Sequence, residues 1–448
     1  MNKLTNFPYQ RVLVLGLAKS GTAAANVLQR NGVSVIVNDL KATSDQPDVQ
    51  SLVAKGVRVV LGEHPLELLN EVELVIKNPG IPYSNMMINH AQQTGLPVWT
   101  EIECLTYLIK NPIIAITGSN GKTTTTTLTY NMLKESGKST KVAGNIGSAA
   151  IEVAEKMAEE DHLVLELSSF QLMGTELFKP KIAVLLNLFE AHLDYHGGFE
   201  GYQQAKAQIF RQLTSDDFLV YNADDKRVSK LVEQSPAQLI PFSVSTSMQE
   251  GAWVDETTVY FKNERIISRS DIRLVGDHNL ENILASIAAT KLLNASNEGI
   301  KEVLTTFQGV RHRLQYVTEK QGRLFYNDSK ATNILASSKA ITAFNQPVIL
   351  IAGGLDRGNS FDELIPFLTN VKGLFLYGET ASKLAEVGEK ASVPVINTGD
   401  QLDQMIKQAY QFSDEGDVIL LSPACASWDQ FSTFEDRGDM FIDVVHKL

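Results

Sequence analysis

Short apolar runs rich in valine and isoleucine alternate with helix-like stretches along almost the whole chain. Strands that are apolar throughout are typical of parallel sheets whose two faces are both covered by helices. The alternation therefore predicts an α/β protein assembled from βα units. With 448 residues, the chain is long enough for about three domains of ordinary size.

Composition and charge exclude several other classes of protein. Hydrophobic residues make up 44% of the chain and charged residues 21%, which is ordinary for a globular protein. A formal net charge of −12 argues against a nucleic-acid partner. Cys104 and Cys425 lack the spacing of a metal site or a disulfide framework, and no apolar run is long enough to insert into a membrane. We therefore expect a cytoplasmic protein.

The sequence "IIAITGSNGKTT" joins an apolar strand to a glycine-rich turn and a helix-like stretch. Backbone N–H groups of such a turn at a helix N-terminus converge on one point and bind phosphate oxygens. Lys122 would reach the β- and γ-phosphates of a nucleotide, and the Thr123 hydroxyl would ligate Mg²⁺. The predicted phosphate loop consists of Gly118, Ser119, Asn120, Gly121, Lys122, Thr123 and Thr124.

One residue of this motif departs from the general pattern. Ile116 occupies the place where the general phosphate-loop pattern has its first glycine, so the motif is a compact variant; the alternative is an ordinary turn with an incidental lysine. The threonine run at 123–127 is predicted to form the exposed first turn of a helix.

Three blocks of the strand and helix pattern can be separated. The first fades near residue 108, the second begins with the strand before the phosphate loop, and the third opens near residue 314. We predict a Rossmann-like N-terminal domain over residues 1–108, a central domain like that of phosphate-loop ATPases over 109–310, and a Rossmann-like C-terminal domain over 311–448.

The first strand suggests an alternative function. Turns at Gly16 and Gly21, with Asp39 at the end of the next strand, imitate a dinucleotide-binding fingerprint. Ala18 replaces the middle glycine, and this pattern is weak evidence even when complete. An NAD-dependent dehydrogenase is the alternative from another enzyme class, but it leaves the loop at Gly118 unexplained.

The compact sequence Thr-Gly-Ser-Asn-Gly-Lys-Thr resembles the ATP loop of the Mur ligases, the amide synthetases that build peptidoglycan precursors. The stretches "HLVLELSS", "NLFEAHLDYHGG", "YNDSKATN" and "LLSPACASWDQFSTFEDRG" extend the resemblance over all three blocks. The resemblance implies a three-domain α/β enzyme that uses ATP and binds Mg²⁺ at two sites.

Three further residues are implicated in binding the metal. Glu166 ends a predicted strand, where its carboxylate can hold Mg²⁺. The resemblance implies that His192 contacts a second Mg²⁺, and that Lys206 carries a CO₂-derived carbamate. Lys206 lies on the apolar face of a helix predicted over 200–213, where desolvation lowers the pKa of an amine; from the helix alone, a lysine whose stem covers apolar surface is the simpler interpretation.

The resemblance assigns roles to several other residues. The metal ligands would be Thr123, Glu166, His192 and carbamylated Lys206, and the catalytic residues Lys122, Glu166, His192, Lys206 and Lys330. The rest of the ATP would be bound by Asn279, Asn282, Arg313 and Asp328. A UDP-linked sugar would be bound by Ser20, Asp39, Gly80, Asn145 and His192. The amino acid would be bound by Thr332, Arg357, Ser427 and the amide of Phe434.

The resemblance is strongest to the family members that add D-glutamate. It implies a monomeric enzyme that uses ATP to join D-glutamate to UDP-N-acetylmuramoyl-L-alanine through an acyl phosphate. A Mur ligase of different amino-acid specificity is the alternative within the family, although the Asp-Asn-Pro-Arg signature of the member that adds a diamino acid is absent.

Overall fold

The computed structural model describes residues 1–448, which form two compact units. The first unit comprises Met1–Ser270 and Glu281–Val303, and the second comprises Asp271–Leu280 and Leu304–Leu448. Parallel sheets flanked by helices occur in both units, so the predicted α/β class is confirmed. None of the helices is both long enough and apolar enough to cross a membrane.

The first sheet of unit 1 has five parallel strands in the order β3-β2-β1-β4-β5. Its strands are β1 (Arg11–Leu15), β2 (Ser34–Asp39), β3 (Arg58–Leu61), β4 (Leu74–Lys77) and β5 (Val98–Trp99). The accompanying helices are α1 (Lys19–Arg30), α2 (Pro47–Ala54), α3 (Met86–Gln93) and α4 (Leu105–Leu108), with a 3₁₀ turn at Leu66–Glu71.

The second sheet of unit 1 has nine strands in the order β14-β13-β12-β11-β10-β9-β6-β8-β7. Its strands are β6 (Ile113–Thr117), β7 (Thr140–Gly144), β8 (His162–Glu166), β9 (Ile182–Leu185), β10 (Phe218–Asn222), β11 (Gln238–Ser243), β12 (Ala252–Val254), β13 (Thr258–Phe261) and β14 (Glu264–Ser268). Strands β6 to β12 pair in parallel, whereas β12, β13 and β14 form an antiparallel meander at one edge.

The helices that follow in the chain are α5 (Lys122–Glu135), α6 (Ala150–Lys156), α7 (Ser169–Leu172), α8 (Leu193–His196), α9 (Phe199–Ala207), α10 (Lys226–Val232), α11 (Asp277–Lys291) and α12 (Asn297–Thr306). The helix predicted over residues 200–213 is shorter than expected, because α9 gives way to a 3₁₀ turn at Gln208–Phe210. Another 3₁₀ turn spans Arg269–Asp271.

One apolar cluster explains why the two sheets of unit 1 form a single compact body. Val12 and Val14 of β1 belong to the same buried cluster as Ile113 and Ala115 of β6. The side chain between them, Leu13, points to the opposite face of the sheet and lies in a separate apolar cluster. Burial of both faces accounts for the uninterrupted apolar sequence of this strand.

Unit 2 contains a six-stranded sheet in the order β15-β16-β20-β17-β18-β19. Its strands are β15 (Gln315–Lys320), β16 (Arg323–Asn327), β17 (Val348–Gly353), β18 (Val371–Tyr377), β19 (Val395–Gly399) and β20 (Val418–Leu421). All pairs are parallel except the β15–β16 hairpin. The helices are α13 (Ile334–Ile341), α14 (Ala381–Lys390), α15 (Leu402–Phe412) and α16 (Phe434–Lys447), with a 3₁₀ turn at Asp362–Phe367.

Candidate active site

The predicted phosphate loop connects β6 to the N-terminus of α5. Gly121 has a φ of +82°, and a Cβ atom there would lie 2.1 Å from the Asn282 side-chain oxygen. At Gly118 a Cβ atom would lie 2.8 Å from the Cβ of Leu186. Both glycines are therefore required by the conformation and packing of the turn, which leaves its N–H groups at a helix N-terminus.

Lys122 folds back over this loop. Its Nζ donates hydrogen bonds to the carbonyl oxygens of Gly118, at 2.7 Å, and Ser119, at 2.9 Å. The ammonium group is thereby held beside the turn, where it can meet phosphate oxygens bound by the loop.

Asn187, which the sequence did not single out, fixes the loop from the end of β9. Its side-chain oxygen accepts a hydrogen bond from the Asn120 N–H at 2.9 Å, and its amide donates to the Asn120 carbonyl at 3.2 Å. Its backbone carbonyl accepts from the Ser119 N–H at 3.0 Å. Asn187 also lines a cavity of about 310 Å³ beside the loop. The only signal in the sequence was a polar residue directly after an apolar strand.

The threonine run begins α5 as predicted, but the prediction that it is exposed was wrong. Thr125 and Thr126 are completely buried. The residues of α11 that belong to unit 1 cover them: the Thr125 hydroxyl donates to the Asn282 side-chain oxygen at 3.2 Å, and the Ser286 hydroxyl donates to the Thr125 carbonyl at 3.2 Å. The hydroxyl of Thr125 therefore has a hydrogen-bond partner in α11, whereas the buried hydroxyl of Thr126 has none.

Glu166 lies at the end of β8, where it pairs with Ile116 of the strand that leads into the phosphate loop. Its Oε1 accepts a hydrogen bond from the Asn145 side-chain amide at 2.7 Å, whereas Oε2 is buried without a partner. No group of three or more histidine, cysteine or acidic side chains is arranged to hold a metal. Mg²⁺ commonly takes one or two carboxylates together with phosphate and water oxygens, so a single unpartnered carboxylate oxygen beside a phosphate loop fits this ion.

His192 begins the one-turn helix α8 in the left-handed conformation, with a φ of 54°. Its ring packs edge-on against Phe170, with 4.9 Å between the ring centroids. Partial burial lowers the pKa of His192, and the positive charges of Lys122 and Lys206 lower it further. Residues that are distant in sequence therefore share one electrostatic environment.

Lys206 is 1% exposed on α9. Its Nζ donates to the Gly118 carbonyl at 2.9 Å and the Thr117 hydroxyl at 3.3 Å, and it lies 4.8 Å from the centre of the Tyr202 ring. Burial, followed by repulsion from Lys122, places the pKa of Lys206 well below its ordinary value. A neutral amine at this position has the nucleophilic form that carbamate formation requires.

A cavity of about 330 Å³ lies between the two sheets of unit 1. Three residues predicted to bind the nucleotide sugar line it: Ser20, Gly80 and Asn145. Lining residues that the sequence did not single out include Lys19, Glu101, Phe170 and Gln171.

Asp39 is not among the residues that line this cavity. Its carboxylate accepts hydrogen bonds from the N–H groups of Leu17 at 2.6 Å, Lys41 at 2.7 Å and Ala42 at 2.8 Å. Burial opposes its ionisation, but these backbone donors outweigh burial and lower the pKa of Asp39. In this structure the carboxylate holds the turn after β1 and the loop after β2 together.

Lys77 ends β4 and is 1% exposed, and burial lowers its pKa to about 7. Between about pH 7 and 10.5 the folded protein has released this proton whereas the unfolded chain retains it, so stability rises with pH across this window. Relative to Lys77→Met, the wild type should therefore gain about 2 kcal/mol in free energy of unfolding between about pH 7 and pH 9. Urea denaturation of both proteins followed by tryptophan fluorescence measures this difference. A difference that does not change with pH would contradict the prediction.

In unit 2, polar residues collect where three neighbouring strands end. Asp328, Lys330 and Thr332 follow β16, Ser427 follows β20, and Arg357 follows β17, and these three strands are adjacent in the sheet. The carboxyl edge of a parallel sheet is where α/β proteins usually bind ligands.

Asp328 is buried at this edge. Its Oδ1 accepts from the Leu314 N–H at 3.0 Å, and its Oδ2 accepts from the Ser422 hydroxyl at 3.0 Å. Burial raises its pKa to about 7. Arg313, which precedes Leu314, has a buried Nε without a hydrogen-bond partner. Elsewhere in unit 2, the Asn279 side-chain amide donates to the Val275 carbonyl at 2.7 Å.

The loops after β17 and β20 are joined by backbone hydrogen bonds. Gly353 N–H donates to the Pro423 carbonyl and Leu355 N–H to the Ala426 carbonyl, each at 3.0 Å. On these loops the Arg357 guanidinium lies 5.0 Å from the centre of the exposed Trp428 ring.

Two of the predicted residues of unit 2, Lys330 and Phe434, meet at the start of α16. The ammonium of Lys330 lies 4.9 Å from the centre of the Phe434 ring. The Ser329 hydroxyl donates to the Phe434 carbonyl at 2.7 Å, which ties the segment after β16 to this helix. Lys330 and Arg357 therefore bring two cationic side chains to the carboxyl edge of this sheet.

A glycine loop at the carboxyl edge of a parallel sheet, with a lysine folded over it, is characteristic of the phosphate-loop nucleotide-binding proteins. The chain belongs to the Mur ligase family. Residues 10–100 match the Mur ligase MurD-like N-terminal domain, residues 116–290 the Mur ligase middle domain, and residues 312–425 the Mur ligase glutamate ligase domain.

Similar proteins include two named UDP-N-acetylmuramoylalanine–D-glutamate ligase. The protein from Oceanobacillus iheyensis is 56% identical over 448 residues, covering 100% of both chains, and that from Bacillus subtilis is 53% identical, covering 98% of both. Among solved structures, UDP-N-acetylmuramate-alanine ligase from Thermotoga maritima matches with a TM-score of 0.60 at 18% identity, covering 98% of this chain and 99% of that one. MurF from Acinetobacter baumannii matches with a TM-score of 0.61 at 17% identity, covering 97% and 93%. These last two matches show the shared fold.

Proposed function

We propose that the protein is an ATP-dependent ligase that joins D-glutamate to UDP-N-acetylmuramoyl-L-alanine during the synthesis of peptidoglycan precursors. The observation that carries this proposal is full-length identity of 56% to a D-glutamate ligase, combined with a phosphate loop whose lysine lies against its own turn. ATP is the nucleotide and phosphate donor, and D-glutamate the amine.

In the first step, the carboxylate of the nucleotide sugar attacks the γ-phosphorus of ATP, and the bond to the β–γ bridging oxygen breaks. The products are an acyl phosphate and ADP. Lys122 and the loop N–H groups would neutralise the phosphate charge and align the reacting atoms, which supplies most of the catalysis in phosphoryl transfer. Asn187 would maintain the loop geometry through its three hydrogen bonds to the loop.

In the second step, the amine of D-glutamate attacks the acyl carbon. The tetrahedral intermediate expels inorganic phosphate and the amine loses a proton, leaving an amide bond. The basic edge of unit 2, with Lys330, Arg357, Thr332, Ser427 and the Phe434 amide, would bind the two carboxylates of the amino acid. Exclusion of water would protect the acyl phosphate from hydrolysis.

Mg²⁺ would be held by Glu166 and Thr123 at one site, and by His192 and a carbamate on Lys206 at a second. When bound, the ion supplies positive charge that stabilises the transferring phosphoryl group. The unpartnered Glu166 oxygen supports the first site, and the buried Lys206 amine with its lowered pKa supports the carbamate. The carbamate would turn a buried base into an anion that can ligate a cation.

The nucleotide sugar would occupy the cavity lined by Ser20, Gly80 and Asn145. Asn279, Asn282, Arg313 and Asp328 would bind the adenosine part of ATP, and the buried unpartnered Nε of Arg313 supports a role in ligand binding. Asp39 would contribute by holding the turn after β1 rather than by lining the cavity. We further propose that the enzyme acts as a monomer in the cytoplasm.

One assay tests the proposal. Release of inorganic phosphate is measured with MgATP, UDP-N-acetylmuramoyl-L-alanine and a panel of L- and D-amino acids. We expect release only when the nucleotide sugar and D-glutamate are both present. Stimulation by another amino acid would indicate a sister ligase, and ATP hydrolysis without any amino acid would indicate a nucleotide switch, so either result would overturn the proposal.

A further inference from the structure

Tyr195 of α8 contacts the turn that follows β4, on the other sheet of unit 1. Its hydroxyl lies 3.1 Å from the Pro79 carbonyl oxygen and 3.0 Å from the Ile81 carbonyl oxygen. These two carbonyls flank Gly80, which lines the cavity between the sheets. The Tyr195 hydroxyl therefore lies within hydrogen-bond distance of the carbonyls on both sides of Gly80.

Lys77, the last residue of β4, binds to both the turn and Tyr195. Its buried Nζ donates to the Pro79 carbonyl at 3.2 Å and to the Tyr195 hydroxyl at 3.3 Å. The tyrosine oxygen can accept from the lysine while its own proton is donated to one of the two carbonyls. The turn, the lysine and the tyrosine thus form one hydrogen-bond network that includes residues of both sheets.

The same tyrosine is connected to His192. Tyr195 N–H donates to the His192 carbonyl at 3.1 Å within α8. The Phe170 ring, which lines the cavity, packs edge-on against both residues, with centroid distances of 4.5 Å to Tyr195 and 4.9 Å to His192. The turn, Tyr195, Phe170 and His192 therefore form one continuous set of contacts.

We propose that Tyr195 is a positioning residue that fixes the turn at 79–81 for binding of a nucleotide diphosphate sugar and couples this binding to the placement of His192. The identity of the ligand rests on the proposed function. Nothing in the local sequence indicated this role, because Lys77 and Tyr195 are brought together only by packing of the two sheets.

The test compares two tyrosines. In Tyr195→Phe, the hydroxyl that binds the turn is lost, whereas the matched control Tyr83→Phe removes a buried hydroxyl that has no hydrogen-bond partner. Calorimetry with UDP-N-acetylmuramoyl-L-alanine, without ATP, gives the dissociation constants. We expect Tyr195→Phe to raise the Kd about tenfold, since the Ile81 carbonyl loses its donor and the Pro79 carbonyl keeps only Lys77. Tyr83→Phe should change the Kd by less than about twofold. The KM for ATP should remain unchanged in both variants.

Coupling is tested by repeating the Tyr195→Phe change in a His192→Ala background. If the two residues act together, the effect of Tyr195→Phe on Kd should shrink to about threefold or less in that background. Equal effects in both backgrounds would overturn the coupling, and an unchanged Kd in Tyr195→Phe would overturn the whole inference. If the wild type itself fails to bind this nucleotide sugar, the proposed function has failed, and UDP alone becomes the probe of the turn: an unchanged Kd for UDP in Tyr195→Phe would then overturn the inference.

Discussion

Replacing Lys122 with alanine is expected to lower kcat for D-glutamate ligation by about 10³-fold, with a smaller change in the KM for the nucleotide sugar. The ammonium group lies against the Gly118 and Ser119 carbonyls, so it needs little rearrangement to reach phosphates bound by the loop. The positive charge interacts most strongly with the transition state, in which negative charge shifts between phosphate oxygens. Its removal should therefore lower kcat more than it raises KM. The measurement is phosphate release with all three substrates at saturation.

Lys134→Ala is the matched control for this prediction. Lys134 lies on the same helix, α5, but in its exposed last turn. We expect activity within about twofold of the wild type, because exposed substitutions away from a site have small effects. If Lys122→Ala were as active as Lys134→Ala, the loop would not be the site of phosphoryl transfer.

Replacing Lys206 with alanine is expected to reduce activity by about 10²-fold or more, and added short carboxylic acids such as acetate should restore part of the loss. The physical reason is that the alanine variant leaves a space at the buried end of α9, where a small carboxylate can supply the negative charge that a carbamate would carry. Rescue should saturate with acid concentration and should depend on the size of the acid. Phosphate release over a series of acids measures both properties.

Lys122→Ala provides the decisive comparison for this rescue. A carboxylate cannot replace the positive charge of Lys122, so the same acids should not restore its activity. Lys206→Ala that is nearly as active as the wild type, or that is insensitive to acids, would contradict the carbamate. So would equal rescue of both variants, since a general effect of salt acts on both alike.

Much of the candidate site was accessible to sequence reasoning because its chemistry is local. The phosphate loop occupies consecutive residues, and the conformations of Gly118 and Gly121 follow from the turn that such a loop requires. Glu166 and Asp328 were recognisable because each lies directly at or after the end of an apolar strand. The carboxyl ends of parallel strands meet at one edge, so position in the sequence predicted position in the sheet.

Other parts could not be predicted, because they depend on contacts between distant segments. A single asparagine forms no recognisable sequence motif, so the hydrogen bonding of Asn187 to Asn120 could not be predicted. The threonine run was expected to be exposed. The residues that bury Thr125, namely Asn282 and Ser286, lie more than 150 positions away in the sequence, so no local pattern predicts this contact. Asp39 occupied the expected place at a strand end, yet its carboxylate bonds to backbone N–H groups and does not line the cavity.

The sequence by itself determined the α/β class, the phosphate loop and the family resemblance, because hydrophobic periodicity and contiguous motifs act over a few residues. Tertiary structure alone decided which isolated polar groups meet: Lys77 with Tyr195, Asn145 with Glu166, and Lys206 with the Gly118 carbonyl. The same packing decided the ionisation of Lys206, because the pKa of an amine depends on how much water and charge surround it, and neither is fixed until the sheets and helices have assembled.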